Sequence, residues 1–147
     1  MRTLTKVSAR LIAAVLAVAS AAPLALAQSQ SFAAKVTVPF AFATASGQHF
    51  QPGVYTIHIT GTQTMLIEGA KVSGLAMIQQ LAYDGLPAAQ GKAVFVHYGA
   101  KYYLHSVTAS GSSTRLTFAR SKEERQSQIA AAKPSPAVEL ALLQTGR

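Results

Sequence analysis

Tyr55-Thr56-Ile57-His58-Ile59-Thr60 decides the fold. Apolar side chains alternate with polar ones, the period that sends successive residues to opposite faces of a sheet and leaves one face dry. The same period runs upstream, where Val36, Val38, Phe40 and Phe42 alternate with Lys35, Thr37, Pro39 and Ala41. Pro39 has no amide hydrogen for a ladder, so this first strand is expected at an edge or interrupted by a bulge. Ser46-Gly47 and Pro52-Gly53 punctuate the passage between the two strands. Downstream, Gly61-Thr62 predicts a tight turn into a strand over 64–68, and Gly69-Ala70 another into a strand over 72–81. A longer connection, Tyr83-Asp84-Gly85-Leu86-Pro87, precedes a hairpin of residues 92–98 and 101–108 about Gly99-Ala100. Ser110-Gly111-Ser112-Ser113 then leads into a last strand over 114–119. Short loops join antiparallel neighbours, because a parallel crossover needs about a dozen residues. The expected fold is therefore mainly β, with about seven antiparallel strands in a meander that forms a barrel or a sandwich.

The period changes after Arg120. Ser121-Lys122-Glu123-Glu124 fits a capping box, in which the serine hydroxyl accepts from the Glu124 amide and the Glu124 carboxylate reaches back to the amide of Ser121. Glu123 and Glu124 also sit where the helix dipole favours negative charge. These signals predict a C-terminal α-helix over 122–132, ended by Pro134, so that residues 121–133 pack on or beside a β-domain of residues 28–120. Residues 134–147 form a Pro-containing tail in which Ser135-Pro136 suits the start of a second short helix through Leu143. Val138, Leu140, Ala141 and Leu142 either pack on the sheet or leave the tail as a loose interaction segment.

The opening residues carry an address. Arg2, Lys6 and Arg10 make a basic leader, residues 11–26 are uncharged and largely apolar, and Ala25-Leu26-Ala27 supplies the small-x-small pattern of signal-peptidase cleavage between Ala27 and Gln28. A spanning helix needs about 20 apolar residues, whereas this run is shorter, carries Ser20 and Pro23, and meets polar Gln28-Ser29-Gln30. Residues 1–27 are thus expected to be a signal peptide, and the mature chain an exported one, periplasmic or secreted, that does not span the membrane. The 13 Lys and Arg against 5 Asp and Glu give a net charge of +8, which falls to +5 when the three leader cations are removed. After export, such a surplus is first explained as keeping the domain soluble, and as a partner signal it suits an envelope protein or an anionic envelope lipid or polymer, and not nucleic acid. With no cysteine there is no disulfide framework, no thiolate metal site, no cysteine nucleophile and no lipoprotein anchor.

Four stretches, Val36-Thr37-Val38-Pro39-Phe40-Ala41-Phe42, Pro52-Gly53-Val54-Tyr55-Thr56-Ile57, Phe95-Val96-His97-Tyr98-Gly99-Ala100-Lys101-Tyr102-Tyr103-Leu104 and Ser121-Lys122-Glu123-Glu124-Arg125, extend over most of the chain from Lys35 to Gln126. Together they resemble a group of small exported, β-rich proteins common in acidobacterial genomes and without an assigned function. In that group an acidic residue often follows the phenylalanine of the first stretch and the glycine of the third, where this chain has Ala41 and Ala100. The resemblance implies an exported, mainly β domain. It supplies no catalytic residue and no substrate.

Four histidines and no thiolates make any metal site a histidine-rich one. His97 and His105 flank the Gly99-Ala100 turn: a two-residue loop pairs His97 with Tyr102 and sends His105 to the other face, whereas a three-residue loop brings both imidazoles to one face. His58 lies on the polar face of its strand. Hydrogen-bonded or solvent-facing histidines are the expectation, with no metal and no cofactor. The strand region offers Glu68 and Asp84 as its carboxylates, each explained by a strand end or turn, and no G-x-S-x-G elbow is present, so no catalytic residue is assigned. Tyr98, Tyr102 and Tyr103 surround one hairpin with Phe95 close by. Cross-strand core packing explains most of these rings; tyrosines exposed on a sheet stack on sugars or partner proteins, which makes Tyr98, Tyr102, Tyr103, His97 and His105 the candidate ligand-binding set. Adjacent Tyr102 and Tyr103 face opposite sides, so one of them is exposed or lies under a second layer that the C-terminal helix can provide. Arg115, Arg120, Lys122 and Arg125 cluster near the last strand and helix start, a solvated charged face by composition. The expected function is that of an exported non-enzymatic β-domain with a binding or envelope-structural role. The alternatives are a barrel holding a small apolar ligand and, less favoured, a small hydrolase.

Overall fold

A computed structural model describes residues 32–60, 63–131, 133 and 135–145. The leader with Ala25, Ala27 and Gln28, the Gly61-Thr62 turn and Pro134 lie outside the described residues. Within them the chain runs β1 (Phe32–Val38), β2 (Phe42–Ala43), β3 (His49–Phe50), β4 (Gly53–Thr60), β5 (Thr64–Gly69), β6 (Ser73–Tyr83), β7 (Lys92–Tyr98), β8 (Lys101–Thr108), β9 (Thr114–Phe118), α1 (Lys122–Ala130), β10 (Val138–Ala141) and β11 (Leu143–Gln144). The fold is mainly β with one helix near the C-terminus, as the alternation predicts.

The seven expected strands are β1 and β4–β9; β2, β3, β10 and β11 are additional. Strand order is β10-β7-β8-β9-β6-β5-β4-β1-β11, and β2 pairs with β3 and β8 beside this path. All ladders are antiparallel except β2 with β8, where Phe42 and Ala43 run parallel to Tyr102 and Tyr103. That pair corrects the all-antiparallel expectation. It arises because the first strand stops at Pro39 and the chain crosses to a strand far away in sequence, which no tight turn constrains.

Two segments change partners. Ser73 to Met77 of β6 pair with β5, while Ile78 to Tyr83 pair with β9, and a bulge between Ile78 and Gln80 makes the bend. The other is the tail. Val138–Ala141 pair with β7 and Leu143–Gln144 with β1, so the two ends of the strand order are separated in the chain by Leu142 alone. The sheet is not closed by a continuous ladder; a bend at each of these two places folds it on itself. The second short helix expected from Ser135-Pro136 is absent, because two sheet edges offer residues 138–144 backbone partners that an isolated helix of about two turns cannot match.

The core lies inside this fold, where Val36, Ile57, Met65 and Ile67 of one half meet Phe95, Leu104, Val107 and Phe118 of the other. Phe42, Phe50, Tyr55 and Phe95 form its aromatic centre, with Phe42 stacked on Phe50 at 4.9 Å and edge-on to Phe95 at 5.2 Å. Tyr55 donates its hydroxyl proton to the Gln51 carbonyl, and burial pushes its pKa up. Leu142 is 4 % exposed, joins this core, and gives its amide hydrogen to the Gly91 carbonyl at 2.8 Å.

The β7–β8 hairpin settles the register. Tyr98 pairs with Lys101 and His97 with Tyr102, so the loop is the two residues Gly99-Ala100, with Gly99 at φ +62°. A bulge follows, Phe95 opposing Leu104 and Val94 opposing Ser106, which leaves His105 as the extra residue.

Leu142→Ala is expected to lower the unfolding free energy by about 2–5 kcal/mol, the range for emptying a buried leucine site. Leu143→Ala, at an exposed neighbour, should change it by no more than about 0.5 kcal/mol. Urea denaturation of both variants checks this, and equal effects would show that the tail is not anchored through Leu142.

Candidate functional site

Pro39 ends β1, and the chain after it builds a crevice. Phe40 stacks on Tyr102 at 4.0 Å between ring centroids and 16° between planes. Phe42 turns into the core, and Ala43 pairs with Tyr103. The turn that follows is closed by the Gly47 amide donating to the Thr44 carbonyl at 2.9 Å, with Gly47 at φ +81°, a conformation that suits glycine. It returns the chain as β3, whose Phe50 is buried and whose His49 is exposed.

The helix supplies the remaining wall. Ser121 caps it, its hydroxyl accepting from the Glu124 amide at 3.0 Å. Burial raises the Glu124 pKa, and this is opposed by Arg120 and by the Ser121 backbone. Glu124 Oε1 has no hydrogen-bond partner, Arg120 Nε standing 4.0 Å from it. The Tyr103 and Ser127 hydroxyls meet at 2.8 Å and hold α1 on β8.

These pieces border a half-open crevice of about 180 Å³ lined by Phe42, Ala43, Phe50, Tyr102 and Tyr103, with Ala41 and Ala100 also on its surface. Its charged members come from three separate segments. Glu123 Oε1 accepts from Lys101 Nζ at 3.1 Å, and Glu123 Oε2 lies 3.0 Å from His49 Nε2. The hydrogen bond from Lys101 holds the Glu123 carboxyl below its usual range against the opposing effect of burial, and His49 adds to the lowering. The same bond raises the Lys101 pKa.

The expected ligand-binding set is divided by this geometry. Tyr98 and Tyr103 are buried together with Ala43, and Ala131 packs against them, so neither ring is a surface platform. α1 is the second layer over that face, and Tyr103 also lines the crevice, which Tyr98 does not. Tyr102 is half-buried, and its ring lies between Phe40 and His97, the latter at 5.0 Å. His105 sits at the bulge, where burial, Arg120 and Arg115 lower its pKa. The two-residue loop therefore leaves His97 with Tyr102 and His105 with the arginines. His58 pairs with Glu68 at 3.0 Å. Among the described residues no three of His, Cys, Asp and Glu gather as a metal site.

His49, Lys101 and Glu123 are the site residues that the sequence leaves unassigned. The sequence explains Glu123 by the helix dipole, and no local signal joins it to Lys101 or His49. Comparison with protein-family models, with curated proteins and with solved structures finds no match to this chain.

The buried Glu124 makes a signed prediction. Its pKa is raised in the folded state, so its contribution to stability is fully present below the ordinary carboxylate range and is lost as pH rises through the folded value. Glu124→Gln, which cannot titrate, should flatten the stability decline over that window. Thermal melts of both proteins from acid to neutral pH test it, and an unchanged slope would show that Glu124 is not held in its protonated form.

Proposed function

We propose that this chain is an exported, non-enzymatic binding domain of the periplasm or cell exterior, and that the crevice between β2, β3, β8 and α1 takes its ligand. The observation that carries the proposal is the Lys101–Glu123–His49 cluster, in which three segments distant in sequence meet over one apolar recess. Its size selects the ligand. A cavity of about 150 Å³ accommodates a benzene-sized group, and drug-sized molecules fill about 300 Å³ or more, so 180 Å³ suits one ring or one branched aliphatic group. Its charge selects the substituent. Glu123 is engaged by Lys101 and by His49, so the rim is net cationic when His49 carries a proton and then favours an anionic head group, on a small molecule or on an envelope partner.

The interior of the fold is a poorer candidate for the same ligand, because Phe42, Phe50, Tyr55 and Phe95 occupy it. A hydrolytic role would use His49 as base, oriented by Glu123. The described lining residues bring no serine, threonine or cysteine to it, which favours holding a ligand over transforming it. Export is supported by the basic leader, the apolar run and the Ala25-Leu26-Ala27 cleavage pattern. No helix among the described residues is long and apolar enough to cross a membrane.

Two measurements test this. Expressed with its own leader in a Gram-negative host, the protein should be recovered from the periplasm with an intact mass that begins at Gln28; retention of residues 1–27 in the cytoplasm would overturn export. Phenylacetate titrated into the exported protein should shift the amide signals of Ala43, Phe50 and Lys101 saturably, and benzylamine should do so more weakly. Ala41→Trp, at an exposed position on the crevice surface, should weaken phenylacetate at least about tenfold, the equivalent of about 1.4 kcal/mol, with little change in Tm. Shifts that are absent, that fall elsewhere, or that are indifferent to Ala41→Trp would overturn the assignment.

A further inference from the structure

Residues 138–144 hydrogen-bond to both ends of the sheet: Val138–Ala141 along β7 and Leu143–Gln144 along β1. Thr145 Oγ1 adds a bond to the Ala33 carbonyl at 3.1 Å, and the Leu142 amide one to Gly91 at 2.8 Å. The attachment is mostly backbone. Glu139, Ala141, Leu143 and Gln144 are exposed, Val138 and Leu140 are half-buried, and Leu142 is the one fully buried side chain of the segment. Such a slot reads an extended strand with a leucine at its bend, by the logic of strand addition to sheet edges. One strand is certain to match it in sequence and register: the same segment of another copy.

The connection to that segment suits exchange. Residues 131–137 read Ala-Ala-Lys-Pro-Ser-Pro-Ala, and alternating prolines fix φ and favour an extended path. Seven extended residues reach about 25 Å. The helix before them is tied to the sheet by Tyr103–Ser127 and Lys101–Glu123, so only this connection has to change course. There is no cysteine, so no disulfide locks the tail to its own body.

We propose that residues 138–144 exchange between two copies of this chain, each pairing with the other's β7 and β1 in the register seen within one chain, to give a symmetric dimer. No crevice residue takes part, so exchange and ligand binding fail or hold separately.

The cysteine-free chain allows a direct test. Lys92→Cys with Ala141→Cys joins paired positions of β7 and β10, and Lys92→Cys with Thr108→Cys joins paired positions of β7 and β8 within the body. Each full-length double variant is refolded from low micromolar to millimolar concentration, as a mixture of tagged and untagged chains, then oxidised and run without reductant. The 92/141 pair should give covalent dimers, tagged–untagged hybrids among them, in a fraction that grows with concentration, while the 92/108 pair stays within one chain. Cross-links within one chain for both pairs at every concentration, or equal dimer yields from both, would overturn exchange. Light scattering on the unaltered chain is the second measurement. A dimer formed at high concentration should persist for hours on dilution, because its release requires the strands to open; a chain monomeric throughout, or a dimer that dissociates at once, overturns the proposal.

Discussion

Pro39 has no amide hydrogen to give, and the site depends on where that sends the chain. Val38 still pairs with Gly53, but the first strand cannot continue beyond it as a ladder partner of β4. Phe40 and Phe42 keep the apolar period and carry it across to the other half of the fold, one ring against Tyr102 and the other against Phe50 and Phe95. The parallel pairing with β8, the turn at Thr44 to Gln48 and the return through His49 follow from that crossing.

Around this crossing the charge of the chain is distributed with economy. Each of its five carboxylates lies against a basic side chain: Glu68 against His58, Asp84 against Arg115, Glu123 against Lys101 and His49, Glu124 against Arg120, and Glu139 against Lys92. The exposed pairs, which exclude the buried Glu124, contribute about 0–1 kcal/mol each, so they position elements more than they stabilise them. Glu139 places β10 beside β7, and Glu123 places α1 beside the crevice. Stability comes instead from the aromatic centre and from the ladders, which a cysteine-free domain has to rely on.

The regular part of the fold is legible in the sequence because alternation and turns are local signals. Tyr55 to Thr60 and Lys92 to Thr108 appear where the period and Gly99-Ala100 put them, and the cap at Ser121 is where the Ser-x-x-Glu spacing puts it. What escapes is decided at a distance. Val138-Glu139-Leu140-Ala141 alternates as a strand does but is short enough to fit one turn of a helix after Pro136, and only the edges of β7 and β1 choose between them. His49 and Phe50 form a strand of two residues, too short for any period to declare. The exposure of Tyr98 and Tyr103 depends on a helix that arrives from later in the chain and covers them. The crevice is harder still, since Lys101, Glu123 and His49 meet only after every one of these choices has been made.

The tail that joins the two ends of the sheet also orders events in time. The bond from Thr145 to the Ala33 carbonyl closes a separation of 112 residues, and the pairing of Leu143 with Lys35 is nearly as remote. Loop-closure entropy must be met before such contacts return anything, and folds dominated by them assemble slowly. The hairpins of β4 to β6 and of β7 to β8 need no such search and can form early, whereas the edges of β1 and β7 stay open until residues 138–144 arrive. During that interval the protein presents two unpaired strands of its own making, so its yield depends on how soon the tail docks relative to how often two unfinished chains meet.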